Sequence, residues 1–354
     1  MALTLPSAPK SICVLRLSAV GDVCHTVPVV RALQDHWPAA GITWVIGRSE
    51  SALVGDIPGV TFRILDKSRG WRAYPELRRQ MQGVTFDLLL HMQVSFRSSI
   101  ASRMISSPVR LGFDRARARD FQWLFTTHRI EAKKNQHVMD SLFGFAQALG
   151  IPEQTPRWDI PIPDRAREFA AKFVQTEGRT LIISPCSTSR LRNWRNWSAE
   201  RYAAVADHAV ETHDMRVILT GGSTRLEERY GEEISRIANH RPTNLIGKTG
   251  LKELLALLDA AHVLIAPDSG PVHMAATVGT PVIGLYATSN PMRTGPYFSR
   301  QWLVNKYPEA LEAELQKTVE EVPWGTRVRN PTAMNRILVS DVTDKLDRLM
   351  ASHP

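Results

Sequence analysis

Short apolar runs alternate with amphipathic stretches along nearly the whole chain, the pattern of βα units that build a parallel sheet. In the first half the runs predict strands over Ile12–Leu17, Ile42–Ile46, Thr61–Leu65 and Phe86–His91. Helical spacing predicts helices over Val23–His36, Ala73–Met81, Phe96–Ile105 and His137–Leu149. Prolines 152, 156, 161 and 163 then crowd one short stretch. That density predicts an interdomain linker over residues 151–163, closing a first domain over 1–150.

The alternation restarts beyond the linker. Strands are predicted over Thr180–Ser184, Arg216–Thr220, Asn244–Ile246, His262–Ala266 and Pro281–Tyr286. Between them, helices are predicted over Asp164–Gln175, Ala199–Glu211, Arg225–Asn239, Leu251–Asp259 and Val272–Val278. A second domain thus spans 164–330, and residues 331–354 hold a last amphipathic helix over Asp341–Met350. Two Rossmann-like halves of one α/β chain imply a cleft between them, the usual home of a ligand.

Composition narrows the class. At 43% hydrophobic and 22% charged residues the chain reads as a soluble globular protein. It holds no apolar run of roughly 18–20 residues, the length of a membrane span. Residues 1–10 carry two prolines and no apolar signal core, so export is not expected. Cys13, Cys24 and Cys186 lack metal-ligand spacing and are expected as reduced thiols in a cytoplasmic protein.

The net charge of +9 is unevenly placed. Arg63–Arg79 has a basic surplus of four and Arg97–Lys134 a surplus of six, so the positive field belongs to the first half. Such a field attracts polyanions: nucleic acid, anionic lipid or a phosphorylated glycolipid. With no zinc signature and no basic recognition helix, nucleic acid is the poorest fit.

Two strand–turn–helix segments carry the candidate chemistry. After His262–Ala266 and Pro267 comes Asp268-Ser269-Gly270-Pro271-Val272-His273, opening a helix. Polar groups at a strand end before a helix start lie where open α/β sheets bind ligands, and the exposed amides favour an anion. Asp and Ser also serve there simply as caps. Near the N-terminus, Ser18-Ala19-Val20-Gly21-Asp22 follows the first strand. Gly21 permits a tight turn and Asp22 lies near a helix start, as a cap or as a catalyst. Neither the dinucleotide fingerprint nor the phosphate-loop pattern is present.

Together these segments resemble a known family. Ser18-x-x-Gly21-Asp22-Val23-x-His25-Thr26-x-Pro28 is similar to the N-terminal motif of glycosyltransferase family 9, the lipopolysaccharide heptosyltransferases. Asp268-Ser269-Gly270-Pro271-x-His273-x-Ala275-Ala276 resembles that family's sugar-nucleotide motif. Tyr286-Ala287-x-x-Asn290-Pro291-x-Arg293-Thr294-Gly295-Pro296-Tyr297 resembles its C-terminal loop, especially in heptosyltransferase I-like members.

The resemblance implies a GT-B architecture, two Rossmann-like domains facing a central cleft, with the last helix returning to the N-terminal domain. It implies inverting, metal-independent transfer from ADP-heptose to the Kdo-lipid A inner core, with no cofactor. The implied place of work is peripheral, at the cytoplasmic face of the inner membrane. Asp22 occupies the family's catalytic-base position. Ser187, Thr188 and Arg192 match the segment that binds the donor phosphates, with arginine where lysine is usual; arginine stays cationic and binds two oxygens at once. Asp268, Ser269, Gly270 and His273 are expected at the donor sugar and phosphates. Glu227 or Glu228 is expected at the ribose, and Lys248 at adenine mainly through its backbone. On the acceptor side Ser18, Arg97, Arg103 and Arg110 are the candidates, the arginines for Kdo carboxylates or lipid phosphates.

Overall fold

All nine strands predicted from the alternation form, and among the described residues three more join them. The structure, a computed structural model, describes residues 3, 5–174, 178–187 and 193–352. It falls into two units, Met1–Pro161 and Ile162–Pro354.

In the first unit β1 (Ser11–Leu15) leads through α1 (Val20–His36) to β2 (Gly41–Gly47), α2 (Arg48–Val54) and β3 (Val60–Leu65). After α3 (Ala73–Gln80) follow β4 (Leu88–His91), α4 (Phe96–Ser102), β5 (Val109–Gly112), β6 (His128–Arg129) and α5 (Val138–Ala148). Every pairing is parallel, in the order β3-β2-β1-β4-β5-β6. Ile12–Leu15 of β1 and all of β4 are buried, which is why both read as unbroken apolar runs. The strand order reverses between β1 and β4, and a ligand crevice opens beyond the strand ends at such a point.

The second unit repeats the plan. α6 (Asp164–Ala171) precedes β7 (Thr180–Ile183), α7 (Ala199–His213), β8 (Arg216–Leu219), α8 (Arg225–Ile237) and β9 (Thr243–Asn244). Then come α9 (Leu251–Ala260), β10 (Val263–Pro267), α10 (Gly270–Thr277), β11 (Val282–Tyr286), α11 (Pro291–Thr294), β12 (Val304–Asn305), α12 (Tyr307–Leu315) and α13 (Val339–Ser352). This sheet is also all parallel, ordered β12-β11-β10-β7-β8-β9, with its reversal between β7 and β10.

Two expectations about the joints change. The proline-rich stretch is not a free tether. Trp158 is buried and donates its indole N–H to Cys24 O at 2.8 Å, while Arg31 donates to Trp158 O and Asp159 O at 3.1 and 2.7 Å. This stretch is therefore sewn onto α1, and the first unit extends to Pro161. The last helix, read as returning to the N-terminal domain, instead buries its apolar face inside the second unit. Val342, Leu346, Leu349 and Met350 of α13 join the core built by Trp197, Tyr202 and Ala206. The three cysteines are free and buried.

Candidate active site

Asp22 is the third residue of α1, where a carboxylate meets the positive end of the helix. It accepts the Ala19 backbone N–H at 3.2 Å, half of a capping box, since Ala19 has no side-chain oxygen to return the bond. The same oxygen, Oδ2, pairs with Arg16 Nη2 at 2.5 Å. Asp22 therefore acts as a cap, yet its side chain stays 34% exposed, open to a further partner.

Arg16 ties this carboxylate to the point where the sheet reverses. Its other terminal nitrogen donates to Met92 O at 2.5 Å, just past β4. Gln93 Oε1 accepts the backbone N–H groups of Leu17 and Ser18 at 2.6 and 3.2 Å. Gly47 closes the other side: its N–H donates to Leu17 O at 3.0 Å, and a Cβ there would lie 2.5 Å from that oxygen. Lys67 Nζ also donates to Leu17 O, at 3.4 Å, and lies 3.7 Å from Glu50. Burial holds the Lys67 ammonium below the usual lysine range; Glu50 pulls it back up, while Arg97 and Arg16 push it down. Ser18 is thus held chiefly through its backbone beside Asp22.

The three acceptor-side arginines do not form one group. Arg97 is the second residue of α4, the helix that follows β4, on the edge of the sheet that carries Asp22. Arg103 caps the far end of that helix, about 9 Å of helical rise away. Arg110 sits near the start of β5, on the opposite edge, and its guanidinium is committed to Phe125 O, Ile105 O and Ser102 O at 2.9, 2.9 and 2.6 Å. Its guanidinium closes the end of α4 onto β5.

In the second unit Asp268 directly follows β10 and is buried. Arg195 donates to its carbonyl at 2.9 Å and lies 3.4 Å from its carboxylate, and Ser289 Oγ donates to Oδ2 at 2.9 Å. Ser269 stands at the start of α10 without making a side-chain cap, its buried Oγ lacking a protein partner among the described residues. Gly270 begins the helix, and His273 lies buried in its first turn. A helix start with a spare hydroxyl and a nearby arginine is a setting for a phosphate.

Ser187 lies beyond β7, the strand beside β10, and is buried. Its Oγ donates to Asn193 Oδ1 at 2.9 Å and its N–H to Asn196 Oδ1 at 3.0 Å. Thr188 and Arg192 lie outside the described residues. Glu227 accepts from Gly222 N–H at 2.8 Å and Thr224 Oγ1 at 2.6 Å, and Thr224 caps α8 in return. These bonds shape the turn after β8 and leave Glu228, exposed and facing Gly247, as the freer carboxylate. Lys248 donates from its ammonium to Asn244 O at 2.9 Å, so its side chain closes the loop after β9.

With this geometry in view, comparison with known proteins gives one answer. Residues 75–324 match the model of glycosyltransferase family 9 (heptosyltransferase). The chain is 40% identical to the lipopolysaccharide core heptosyltransferase OpsX of Haemophilus influenzae over 97% of each chain. The chain belongs to glycosyltransferase family 9.

The fold of this glycosyltransferase agrees. It is similar to a Veillonella parvula family 9 glycosyl transferase, with a TM-score of 0.81, 22% identity and coverage of 99% and 100% of the two chains. E. coli heptosyltransferase WaaC with ADP gives a TM-score of 0.73 at 18% identity, over 96% and 99%. The architecture is GT-B. Several residues that contact the candidate positions escaped the sequence reading: Arg16, Gln93, Lys67, Arg195 and Ser289. Arg195 was the most findable, since Asn193-Trp194-Arg195-Asn196-Trp197 repeats one short pattern within a polar loop. Arg16 sits within an apolar run and reads as part of the strand, so only its contact with Asp22 reveals it.

Proposed function

We propose that this family 9 enzyme transfers heptose from ADP-heptose, with inversion and without a metal, to the Kdo-lipid A inner core of lipopolysaccharide. The observation that carries the reading is Asp22: a partly exposed carboxylate, fixed by Arg16 and Ala19 at the reversal point of the first sheet. The 40% identity to a lipopolysaccharide core heptosyltransferase supports the donor and acceptor classes.

In this reading the first unit supplies the base and binds the acceptor. Asp22 takes the proton of the acceptor hydroxyl as its oxygen attacks the anomeric carbon from the face opposite the diphosphate. Arg16 keeps the carboxylate aimed, so that positioning contributes much of the rate. Arg97 and Lys67 meet the acceptor's anionic groups near Ser18. The second unit supplies the donor site. The amides at the start of α10, Ser269 and Arg195, together with the sequence candidates Thr188 and Arg192, bind the diphosphate and stabilise its charge as the glycosidic bond breaks. Asp268, held by Arg195 and Ser289, accepts from heptose hydroxyls, and His273 donates beside it. Glu228 or Glu227 meets the ribose, and the backbone at Lys248 meets adenine. The enzyme works peripherally, at the cytoplasmic face of the inner membrane.

Incubating the purified enzyme with ADP-heptose and a panel of Kdo-lipid A acceptors, followed by mass spectrometry, tests the reading. One added heptose mass is expected, unchanged after exhaustive chelation. No addition to any acceptor rejects the reaction; loss of activity with chelator, restored by a divalent cation, rejects metal independence.

A further inference from the structure

The loops that leave β3, β4 and β5 reach the same edge of the first sheet as Asp22. They carry four large apolar side chains left in water: Trp71 at 70% exposure, Phe96 at 52%, Phe121 at 63% and Leu124 at 60%. A scattered exposed leucine needs no explanation, but several rings gathered at one edge do.

The contacts make this one surface. Trp71 leans on Tyr74 with ring centroids 5.5 Å apart, and Arg97 lies close enough to Tyr74 for its charge to act on the phenol. Phe96 follows as Arg97's neighbour and donates its backbone N–H to Asp120 at 3.1 Å. Phe121 comes next, 6.5 Å from Trp123, over which Arg115 stacks at 5.3 Å. Asp120 and Phe121 both adopt the left-handed backbone region, with φ of 52° and 58°. Non-glycine residues take that conformation at a cost, and two in succession mark a turn held for its shape. Exposed arginines at 69, 72 and 119 add to the positive field.

Rings at a water boundary interleaved with arginines match the headgroup layer of a bilayer. There, aromatic rings seat at the level of the headgroups while guanidinium groups meet anionic phosphates. We propose that Trp71, Phe96, Phe121 and Leu124, with Arg97 and Arg115 among them, are the surface by which the first unit docks on an anionic phospholipid bilayer. This deepens the reaction proposed above and rests on it for the membrane as the place of work. Docking through this edge presents Asp22 to sugars that project from the bilayer, and it requires no transmembrane segment.

Sedimentation of the full-length enzyme with vesicles tests the surface. The wild-type chain is expected to pellet with vesicles containing phosphatidylglycerol and not with phosphatidylcholine alone, and added salt should weaken the capture. The double variant Trp71→Ser/Phe121→Ser should lose roughly tenfold or more of that capture. Its thermal melt and its transfer of heptose to a deacylated, water-soluble acceptor should be unchanged. Wild-type-like capture of the double variant overturns the proposal. So does capture only by vesicles that contain the glycolipid acceptor, which would make these rings an acceptor subsite. If the wild type docks on phosphatidylglycerol vesicles yet transfers no heptose to any acceptor, the docking surface stands and the proposed reaction falls.

Discussion

Arg195 reaches across the reversal point of the second sheet to Asp268, donating to its carbonyl at 2.9 Å and lying 3.4 Å from its carboxylate. In the first unit Arg16 makes the matching connection, between Asp22 after β1 and Met92 after β4. In both units an arginine crosses the seam that the strand order opens.

Replacing Arg195 by alanine is expected to weaken ADP-heptose binding by about 1.5–3 kcal/mol, the range for a hydrogen bond to a charged group. Arg195→Lys should recover part of the loss, since it keeps the charge but not the two-point contact. Calorimetry with ADP-heptose measures both. Undiminished affinity in the alanine variant would remove Arg195 from the donor site.

Asp22→Asn should leave donor affinity nearly intact and lower turnover by roughly 10²-fold or more, as expected for loss of a positioned general base. Arg16→Gln should also lower turnover, through misplacement of the carboxylate. Steady-state rates with saturating donor separate these effects from binding, and near-wild-type turnover in the asparagine variant would end the base assignment.

Arg110 and Arg97 should part company. Arg110→Met leaves three carbonyls without their donor and is expected to lower stability by roughly 2–4 kcal/mol without raising the acceptor KM. Arg97→Ala should leave the melt unchanged and raise the acceptor KM, more so at low salt. Denaturant titration and acceptor-dependent initial rates tell the two apart; the reverse pairing would contradict the division.

His91 gives the fold an acid sensitivity. Burial, reinforced by Arg110, holds its imidazole at about 3, against 6.5 for an ordinary histidine. Below pH 6.5 the unfolded chain therefore takes up a proton that the folded chain refuses until about 3. This contribution to stability is full above pH 6.5 and is lost as pH falls towards 3, by up to ~1.4 kcal/mol per pH unit. His91→Gln should flatten that slope between pH 6 and 4 in denaturant titrations, and an unchanged slope would show that another group sets it.

The sequence by itself determined the layered α/β plan, the two-unit organisation, the family, and the position of Asp22 and the Asp268–His273 turn. Those features are local: a strand buried on both faces must read as an apolar run, and a helix start must carry its cap. Elements too short to have a period were lost, as in β5, where four residues include Arg110 and pairing with β4 alone supplies the order. Only the tertiary structure decided which charges meet. It joined Arg16 to Asp22 and Arg195 to Asp268, separated Arg97 from Arg110, gave Glu227 to its own helix cap, and kept α13 within the second unit. An arginine's role depends on which carbonyls and carboxylates lie within about 3 Å of a long side chain, and those partners are set by strand order, not by spacing along the chain.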